Sequence, residues 1–283
     1  PMFSNTWGHP LVHTPNMDRL AHMGVTFDAA YCNSPLCVPS RLSFMTGRYV
    51  HHCRAWDNSV PLPVDVMTWP YLLRSLGYDA VLSGKMHLVG PDPLHGFRAQ
   101  LAADLHAQLV HPIYPWRQGI PTAKEPWPSV MQAGAGTTRE IEVDDEVERA
   151  ALSYLREPQR RRQPFALCVG FIAPHFPFVV PEPYFSMYYP HRVDLPNLPP
   201  GHLEDLPPSA KRLRQAFGLA GPYTEEQVLK ARAAYYGLVT YLDHKIGRLL
   251  DALEEQGLAQ NTVVIYTSDH GEMLGEHGLW RKM

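Results

Sequence analysis

PFALCVGFIA, residues 164–173, is a nearly unbroken apolar run. Runs of this length are typical of strands that are buried on both faces, as in a parallel sheet covered by helices. Residues 262–267 are predicted as another buried strand, and residues 25–31 and 78–83 as further strands. The sequence therefore predicts a sheet that contains these four segments.

Helix start and stop signals lie between the predicted strands. Thr14 and Pro15 begin one helix, which Gly24 ends. Thr224 and Gln227 have the spacing of a capping box, and the apolar stripe that follows predicts a long helix ending at Gly257. Further helices are predicted at residues 39–46, 68–76 and 143–156. Because strands alternate with helices, the sequence predicts an α/β fold, a mostly parallel sheet sandwiched by helices.

The composition is that of an ordinary globular protein, with 283 residues of which 45% are hydrophobic and 19% charged. The formal net charge is −3 and both signs are interspersed, so no basic surface for nucleic acid is expected. No apolar run is long enough for a membrane span. The four cysteines show neither zinc-site spacing nor the pattern of a small disulfide scaffold. Residues 91–137, rich in Pro, Trp and Gly, are predicted as a loop-rich insertion.

Polar residues suited to catalysis follow several of the predicted strands. They form four groups: Cys37 with Arg41, Lys85 with His87, His175 alone, and Asp269 with His270. In open α/β sheets, ligands bind outside the carboxyl ends of the strands. We therefore expect the four groups to converge on one edge of the sheet.

The first group belongs to the motif CVPSR, residues 37–41, which is followed by TGR at residues 46–48. Pro39 suits the first position of a helix, and Gly47 suits its end. Cys37 would then lie just before a helix N-terminus, where backbone N–H groups and the macrodipole favour an anion such as a sulfate or phosphate ester. The alternative is a buried structural thiol, since free cysteines are often buried.

Together these motifs resemble the type I sulfatase family of the alkaline-phosphatase superfamily. The resemblance also rests on GKMH at residues 84–87, APHFP at 173–177, SDHGE at 268–272 and GLWRK at 278–282. Within the family it is closest to the choline-sulfatase and arylsulfatase branch, through NSPLC at 33–37 and GKMHLVGPD at 84–92. The resemblance implies an alkaline-phosphatase-like fold and hydrolysis of a sulfate monoester.

The resemblance also implies a nucleophile and a metal ion. Cys37 would be oxidised to formylglycine by a formylglycine-generating or other sulfatase-maturating enzyme, and its hydrate would attack sulfur. Cys37, Asp269 and His270 would ligate one divalent ion, with Ca²⁺ favoured. Mn²⁺ is an alternative because His270 supplies a nitrogen, and Mg²⁺ is a further alternative. The alternative to metal binding is that Asp269 caps a helix, which would explain Asp269 but not His270.

Further roles follow from the same resemblance. Arg41 would help to ionise the attacking hydroxyl, and Asn58, Lys85 and Lys282 would hold the sulfate oxygens. His87 would take a proton from the hydrate, whereas His175 and Lys282 would assist the leaving alcohol. Taken singly, each group has a plain structural alternative: a solvated Lys85 with a surface His87, a loop residue for His175, and an Asx-turn for Asn58.

Family members carry a first strand with a pair of acidic metal ligands, and a smaller C-terminal subdomain. Neither feature is found in this sequence. The chain opens on Pro1 and stops at Met283. We therefore expect residues 1–283 to be a sulfatase catalytic domain that is incomplete at both ends. A cytoplasmic protein is favoured over a periplasmic one, and a homo-oligomer is possible.

Two other functions compete with sulfate ester hydrolysis. A phosphonate monoester or phosphodiester hydrolase would use the same nucleophile and metal on the same scaffold. A non-catalytic binding protein that retains the fold is the second alternative. We favour the sulfatase because Pro-Ser-Arg follows the Cys-Val pair, and because each matched position carries a chemically competent residue.

Overall fold

The computed structural model describes residues 4–107, 119 and 122–282. The helices are α1 (Pro15–Met23), α2 (Cys37–Thr46), α3 (Val50–Cys53), α4 (Trp69–Ser75), α5 (Pro128–Met131), α6 (Arg139–Leu155), α7 (Pro208–Ala216) and α8 (Glu225–Glu255). The strands are β1 (Asp79–Gly84), β2 (Ala99–Gln100), β3 (Gly134–Ala135), β4 (Phe165–Gly170) and β5 (Val179–Val180). Short 3₁₀ turns lie at Asn5–Trp7, Pro158–Arg161, Ala259–Asn261 and Glu276–Gly278.

The main sheet has the strand order β2-β1-β4, and both strand pairs are parallel. β1 and β4 pair along their whole length, from Asp79 opposite Phe165 to Gly84 opposite Gly170. The short strands β3 and β5 form a second parallel pair. The prediction of a mostly parallel sheet is confirmed.

Helices cover both faces of β1. Ala80 and Leu82 pack on one face into a cluster with residues of α2 such as Leu42 and Met45. Val81 points to the other face, where it packs with Tyr154 of α6. This alternation follows from the two-residue period of a strand. The predicted sandwich of helices around the sheet is therefore confirmed.

The longest helix, α8, begins where the sequence indicated. Thr224 and Gln227 form the reciprocal hydrogen bonds of a capping box. The buried side of α8 carries residues such as Tyr236 and Leu238 into the largest apolar cluster of the protein. Within the described residues, no helix combines the length and the apolar character that crossing a bilayer requires.

Three of the predicted strands differ from expectation. Residues 25–31 and 262–267 are not strands: they pair with no other segment in the described part of the chain, and Tyr31 and Val263 are 91% and 87% exposed. β4 covers only six residues of the predicted run and is half-buried. It is an edge strand of its sheet, so one of its sides has no neighbouring strand among the described residues. Apolar composition predicted the strands, but burial depends on partners that composition does not reveal.

The predicted insertion at residues 91–137 contains short elements. β2, α5 and β3 lie within it, and β2 extends the main sheet. Residues 108–118, 120 and 121 lie outside the described residues. Strands of two residues have too few positions to show a period, which is why the sequence did not indicate β2 and β3.

A buried carboxylate fixes the loop that follows β4. Asp144 of α6 accepts hydrogen bonds from the backbone nitrogens of Ile172 (2.7 Å) and Ala173 (2.8 Å). Burial raises the pKa of Asp144 to about 6, although the two amide groups lower it. Asp144 therefore ties the segment that leads to His175 to the helix beneath it.

Gly170 is a position where any side chain should disrupt the sheet edge. A Cβ atom there would lie 1.9 Å from the carbonyl oxygen of Lys85. We expect Gly170→Ala to lower the free energy of unfolding by about 3 kcal/mol or more, because backbone would have to move. Gly24→Ala is the control, since its Cβ would meet only the Leu20 carbonyl at 3.6 Å. Equal unfolding midpoints of the two variants in urea would contradict the expectation.

Asp144 should make stability depend on pH. Its pKa is raised from 3.8 to about 6, so the protonated carboxyl contributes stability that is fully present below pH 3.8 and lost as the pH rises through 6. Asp144→Asn cannot ionise. Its unfolding free energy relative to wild type should therefore rise by about 2 kcal/mol between pH 4 and pH 7. Urea denaturation at both pH values measures this, and a relative stability that does not change with pH would contradict it.

Candidate active site

Cys37 is the first residue of α2 and is only 1% exposed. Leu36 before it is extended, so the chain enters the helix at the thiol itself. The sequence placed the helix start two residues later, at Pro39, which instead lies within the first turn. Backbone N–H groups and the macrodipole favour negative charge at this end of the helix. The structure thus places Cys37 where an anion is stabilised.

Asn58 lies beside the same helix start. Its Oδ1 accepts a hydrogen bond from the backbone nitrogen of Val38 at 3.0 Å. The Asx-turn belongs instead to Asp57, whose carboxylate accepts from the backbone nitrogen and hydroxyl of Ser59. No described residue accepts a hydrogen bond from the Asn58 amide nitrogen. That nitrogen is available to a ligand at the N-terminus of α2.

The Cys37 thiol is surrounded by nitrogen atoms. Nε2 of His270 and Nζ of Lys282 each lie 3.2 Å from Sγ. Burial alone would raise the pKa of Cys37, but the contacts with the imidazoles of His175, His270 and His87 and the charge of Lys85 lower it, and the net pKa is below the ordinary thiol value. This environment therefore favours the thiolate, the form that reacts with electrophiles and with metal ions.

Arg41, one turn into α2, holds Asp269 in place. Its Nε donates to Oδ2 of Asp269 at 2.8 Å, and its Nη1 donates to the Lys85 carbonyl at 2.9 Å. Ser40 donates its hydroxyl to the backbone carbonyl of Asp269. Burial alone would raise the pKa of Asp269, but the charges of Arg41 and Lys85 lower it. Asp269 is therefore an ionised carboxylate.

Cys37, Asp269 and His270 form a possible metal centre, because one ligand atom from each lies within 4.8 Å of the others. The Nδ1 of His270 lies 2.9 Å from the carbonyl oxygen of Gly271. Since a carbonyl only accepts, Nδ1 carries the hydrogen and the Nε2 lone pair faces Cys37. This arrangement is usual for a metal-binding imidazole. A sulfur, a carboxylate oxygen and an imidazole nitrogen form a donor set that fits a divalent ion.

Lys85 and His87 leave the carboxyl end of β1 and are both buried. The alternative of a solvated Lys85 and a surface His87 is therefore wrong. His87 has a left-handed backbone with φ of 57°, a conformation that is uncommon for a residue with a side chain and often occurs at functional sites. Oδ2 of Asp104 stabilises it by accepting from the backbone nitrogens of Met86 and His87. This turn directs the imidazole of His87 to Cys37.

His175 and Lys282 form a hydrogen-bonded pair. The Nδ1 of His175 donates to the Phe176 carbonyl (2.7 Å), so its Nε2 accepts from Nζ of Lys282 at 2.8 Å. Burial, followed by the charge of Lys85, lowers the pKa of His175 to about 3. The imidazole is therefore neutral. It positions an ammonium group that also contacts the Cys37 sulfur.

Sequence reasoning missed the carboxylates that support these residues. Glu272 accepts from the backbone nitrogens of Leu274 and Arg281 and so closes the turn that leads to Lys282. Asp104 and the neighbouring His106 follow β2, which is too short to be recognised in the sequence. Asp144 lies on α6, where the acidic residues suggested only a favourable helix dipole. A carboxylate that binds backbone amides leaves no spacing pattern by which it could be found.

All nine predicted site residues lie around the N-terminus of α2. β1 delivers Lys85 and His87, and the loop after β4 delivers His175, as predicted from the parallel sheet. Asp269 and His270 arrive by a different route, because the segment before them has no regular secondary structure. The expected convergence on one edge of the sheet thus holds for two groups, and tertiary packing brings in the others.

Comparison with known proteins agrees with this arrangement. The family model described as Sulfatase matches residues 3–282. A choline-sulfatase of Rhizobium meliloti strain 1021 is 36% identical over 290 residues, which cover 96% of this chain and 55% of that protein. The human iduronate 2-sulfatase is 31% identical over 317 residues, covering 98% of this chain and 54% of that protein. The chain thus spans about half the length of these curated relatives.

Solved structures share the fold. The phosphonate monoester hydrolase of Agrobacterium radiobacter is 25% identical with a TM-score of 0.74, and the match covers 98% of this chain and 61% of that one. The enzyme SpPMH of Silicibacter pomeroyi, also a phosphonate monoester hydrolase, is 27% identical with the same TM-score, over 97% of this chain and 61% of that one. Because the family model spans nearly every residue and the fold is that of these hydrolases, the chain belongs to the sulfatase family.

Proposed function

We propose that the protein hydrolyses a sulfate monoester to an alcohol and inorganic sulfate. The observation that carries this proposal is the buried Cys37 at a helix N-terminus, with Lys282 in contact and the buried Lys85 nearby. Such a site favours a small anion with several oxygen atoms. Relatives named choline-sulfatase, iduronate 2-sulfatase and arylsulfatase support the sulfate ester as that anion.

The reacting group is proposed to be formylglycine made from Cys37. Attack of a thiolate on sulfur would leave a stable thiosulfate ester, whereas an aldehyde hydrate supplies a second hydroxyl through which sulfate can be released. The CVPSR motif that resembles the sulfatase family contains this cysteine. A sulfatase-maturating enzyme is the partner that the conversion requires.

A divalent metal ion is proposed to be held by Asp269, His270 and the modified residue 37. When bound, it would act as a Lewis acid that favours the ionised hydroxyl of the nucleophile. Arg41 keeps Asp269 ionised and oriented for that role. Ca²⁺ prefers oxygen ligands, and the nitrogen of His270 also suits Mn²⁺. The protein's own donors leave several coordination positions for other ligands.

The remaining side chains divide between the sulfate and the leaving group. Lys85, Lys282 and the Asn58 amide are proposed to hold the sulfate oxygens as charge shifts in the transition state. His87, on its strained turn, is placed to accept a proton from the hydrate. His175 is already a hydrogen-bond acceptor for Lys282. We therefore assign proton donation to the leaving oxygen to Lys282, and the positioning of Lys282 to His175.

Hydrolysis of a phosphonate monoester is the second candidate. Two phosphonate monoester hydrolases share the fold at a TM-score of 0.74, and their reaction needs an equally anionic site. Substrate comparison separates the two functions: the sulfatase proposal requires that a sulfate ester be turned over faster than a phosphonate monoester. Absence of turnover on both, with folded protein and bound metal, would favour a binding protein.

Conversion of Cys37 is the first test. Mass spectrometry of the peptide that contains residue 37 should show loss of the thiol and gain of an aldehyde in protein made with a maturating enzyme. Activity on 4-nitrophenyl sulfate should rise in proportion to the converted fraction.

Cys37→Ser should be nearly inactive, because serine provides only one hydroxyl. Cys168→Ser is the control, since this thiol lies outside the site with its pKa raised by burial to about 11. Full activity of wholly unmodified protein would contradict the proposal.

His175→Ala tests the division of roles around the leaving group. Loss of the imidazole should misplace Lys282 and lower kcat about 10²-fold or more for esters of poorly leaving alcohols, because their oxygen needs a proton. Activated aryl sulfates, which need none, should lose far less. His202→Ala is the control: the Nε2 of His202 likewise lies 2.8 Å from a side-chain nitrogen, Nδ1 of His277, but His202 is half-buried and is not one of the site residues. Equal losses on both substrates would reassign His175 to substrate binding or structure.

A further inference from the structure

Another histidine, which is buried, lies against His87 and His175. His106 is 7% exposed, and its ring centroid lies 5.5 Å from that of His87 and 5.2 Å from that of His175. No motif of the sequence pointed to it. Its ring is thus enclosed among groups that face Cys37, although nothing in the proposed chemistry uses it.

One carboxylate holds His106 and His87 together. Oδ2 of Asp104 accepts from the backbone nitrogens of Met86 and His87, and its Oδ1 accepts from those of His106 (2.9 Å) and Ala107 (3.2 Å). Asp104 is itself buried. The two oxygens of a single side chain therefore fix two turns, the one after β1 and the one after β2. The backbones of His106 and His87 are therefore held in fixed positions relative to each other.

The ring of His106 has hydrogen-bonding capacity that the protein does not use. Its Nδ1 is buried, and within the described ranges (4–107, 119 and 122–282) neither ring nitrogen has a hydrogen-bond partner. Leaving a buried polar atom unpaired is costly, so such atoms in native proteins usually meet a ligand or water. Burial, followed by the charge of Lys85, lowers the pKa of His106 to about 2. The ring is therefore neutral, with one donor and one acceptor.

We propose that His106 is a substrate-contacting residue that forms a hydrogen bond with the alcohol part of the ester, beside the bond that breaks. This inference rests on the proposed ester hydrolysis. The sulfate itself is better served by the cationic groups of Lys85 and Lys282, since charged donors bind anions more strongly than neutral ones do. His106 instead adjoins His175, which positions Lys282, the proposed proton donor to the leaving oxygen. A neutral imidazole there suits an uncharged oxygen of the alcohol.

His106→Phe tests the inference, because phenylalanine keeps the ring packing and removes both nitrogens. In the converted, metal-loaded protein, kcat/KM should fall about 3- to 10-fold, the usual worth of one neutral hydrogen bond. The substrate is whichever ester wild type hydrolyses faster, a sugar sulfate or a sugar phosphonate monoester, so the test also applies if the sulfatase assignment fails. His106→Gln, which keeps a donor and an acceptor, should recover much of the loss. The inhibition constant of the inorganic product should change less than about 2-fold.

His95→Phe is the matched control. His95 is also buried with no hydrogen-bond partner for either ring nitrogen among the described residues, and its backbone nitrogen also binds an aspartate, Asp92, in a similar turn. It lies outside the site, so kcat/KM should not change. Thermal melting compares the folding of all variants, and His106→Leu replaces His106→Phe if the latter unfolds. The inference would be overturned if kcat/KM did not change in His106→Phe (or its replacement His106→Leu), or if His95→Phe lost as much. It would also be overturned if product inhibition weakened as much as kcat/KM fell.

Discussion

The parallel pairing of β1 with β4 is the constraint on which the site depends. The two strands end in register, Gly84 opposite Gly170, and the backbone nitrogen of Lys85 donates to the Gly170 carbonyl at 2.8 Å. The absence of side chains at both glycines lets the backbones approach this closely. The chain leaves both strands at the same point, so the loops carrying Lys85 and His175 begin side by side. The spacing of the Lys85 and His175 segments is therefore constrained by the main-chain pairing.

Electrostatics at this edge favour an anion. Lys85 is buried, and burial lowers its pKa, whereas the negative charge of Cys37 raises it. A cation removed from water is stabilised only by a nearby opposite charge. Asp269 fulfils that need for Arg41 through a direct ion pair. An anion that enters the site thus stabilises Lys85 in its charged form, and ligand binding and lysine protonation support each other.

The sequence predicted the fold class and the residues that the structure brings together around Cys37, for different reasons. Apolar runs and caps identified β1, β4 and α8, because burial and capping act on neighbouring positions. The site residues were identified because chemistry restricts residue type at Cys37 and Lys85. Asp104 and Asp144 were missed, since a carboxylate that binds backbone amides is recognised only by where the backbone lies. The segment at residues 262–267 was assigned wrongly because its apolar residues predicted a strand whose partner no local pattern could supply.

That segment has a consequence for the handling of the protein. TVVIYT, residues 262–267, contains no charge, proline or glycine, and Val263 and Ile265 are largely exposed. Its backbone pairs with no described segment. Short apolar stretches of this composition with unpaired backbone groups are templates for intermolecular β-pairing. Self-association through this stretch, which ends two residues before the proposed metal ligand Asp269, would therefore also displace that carboxylate.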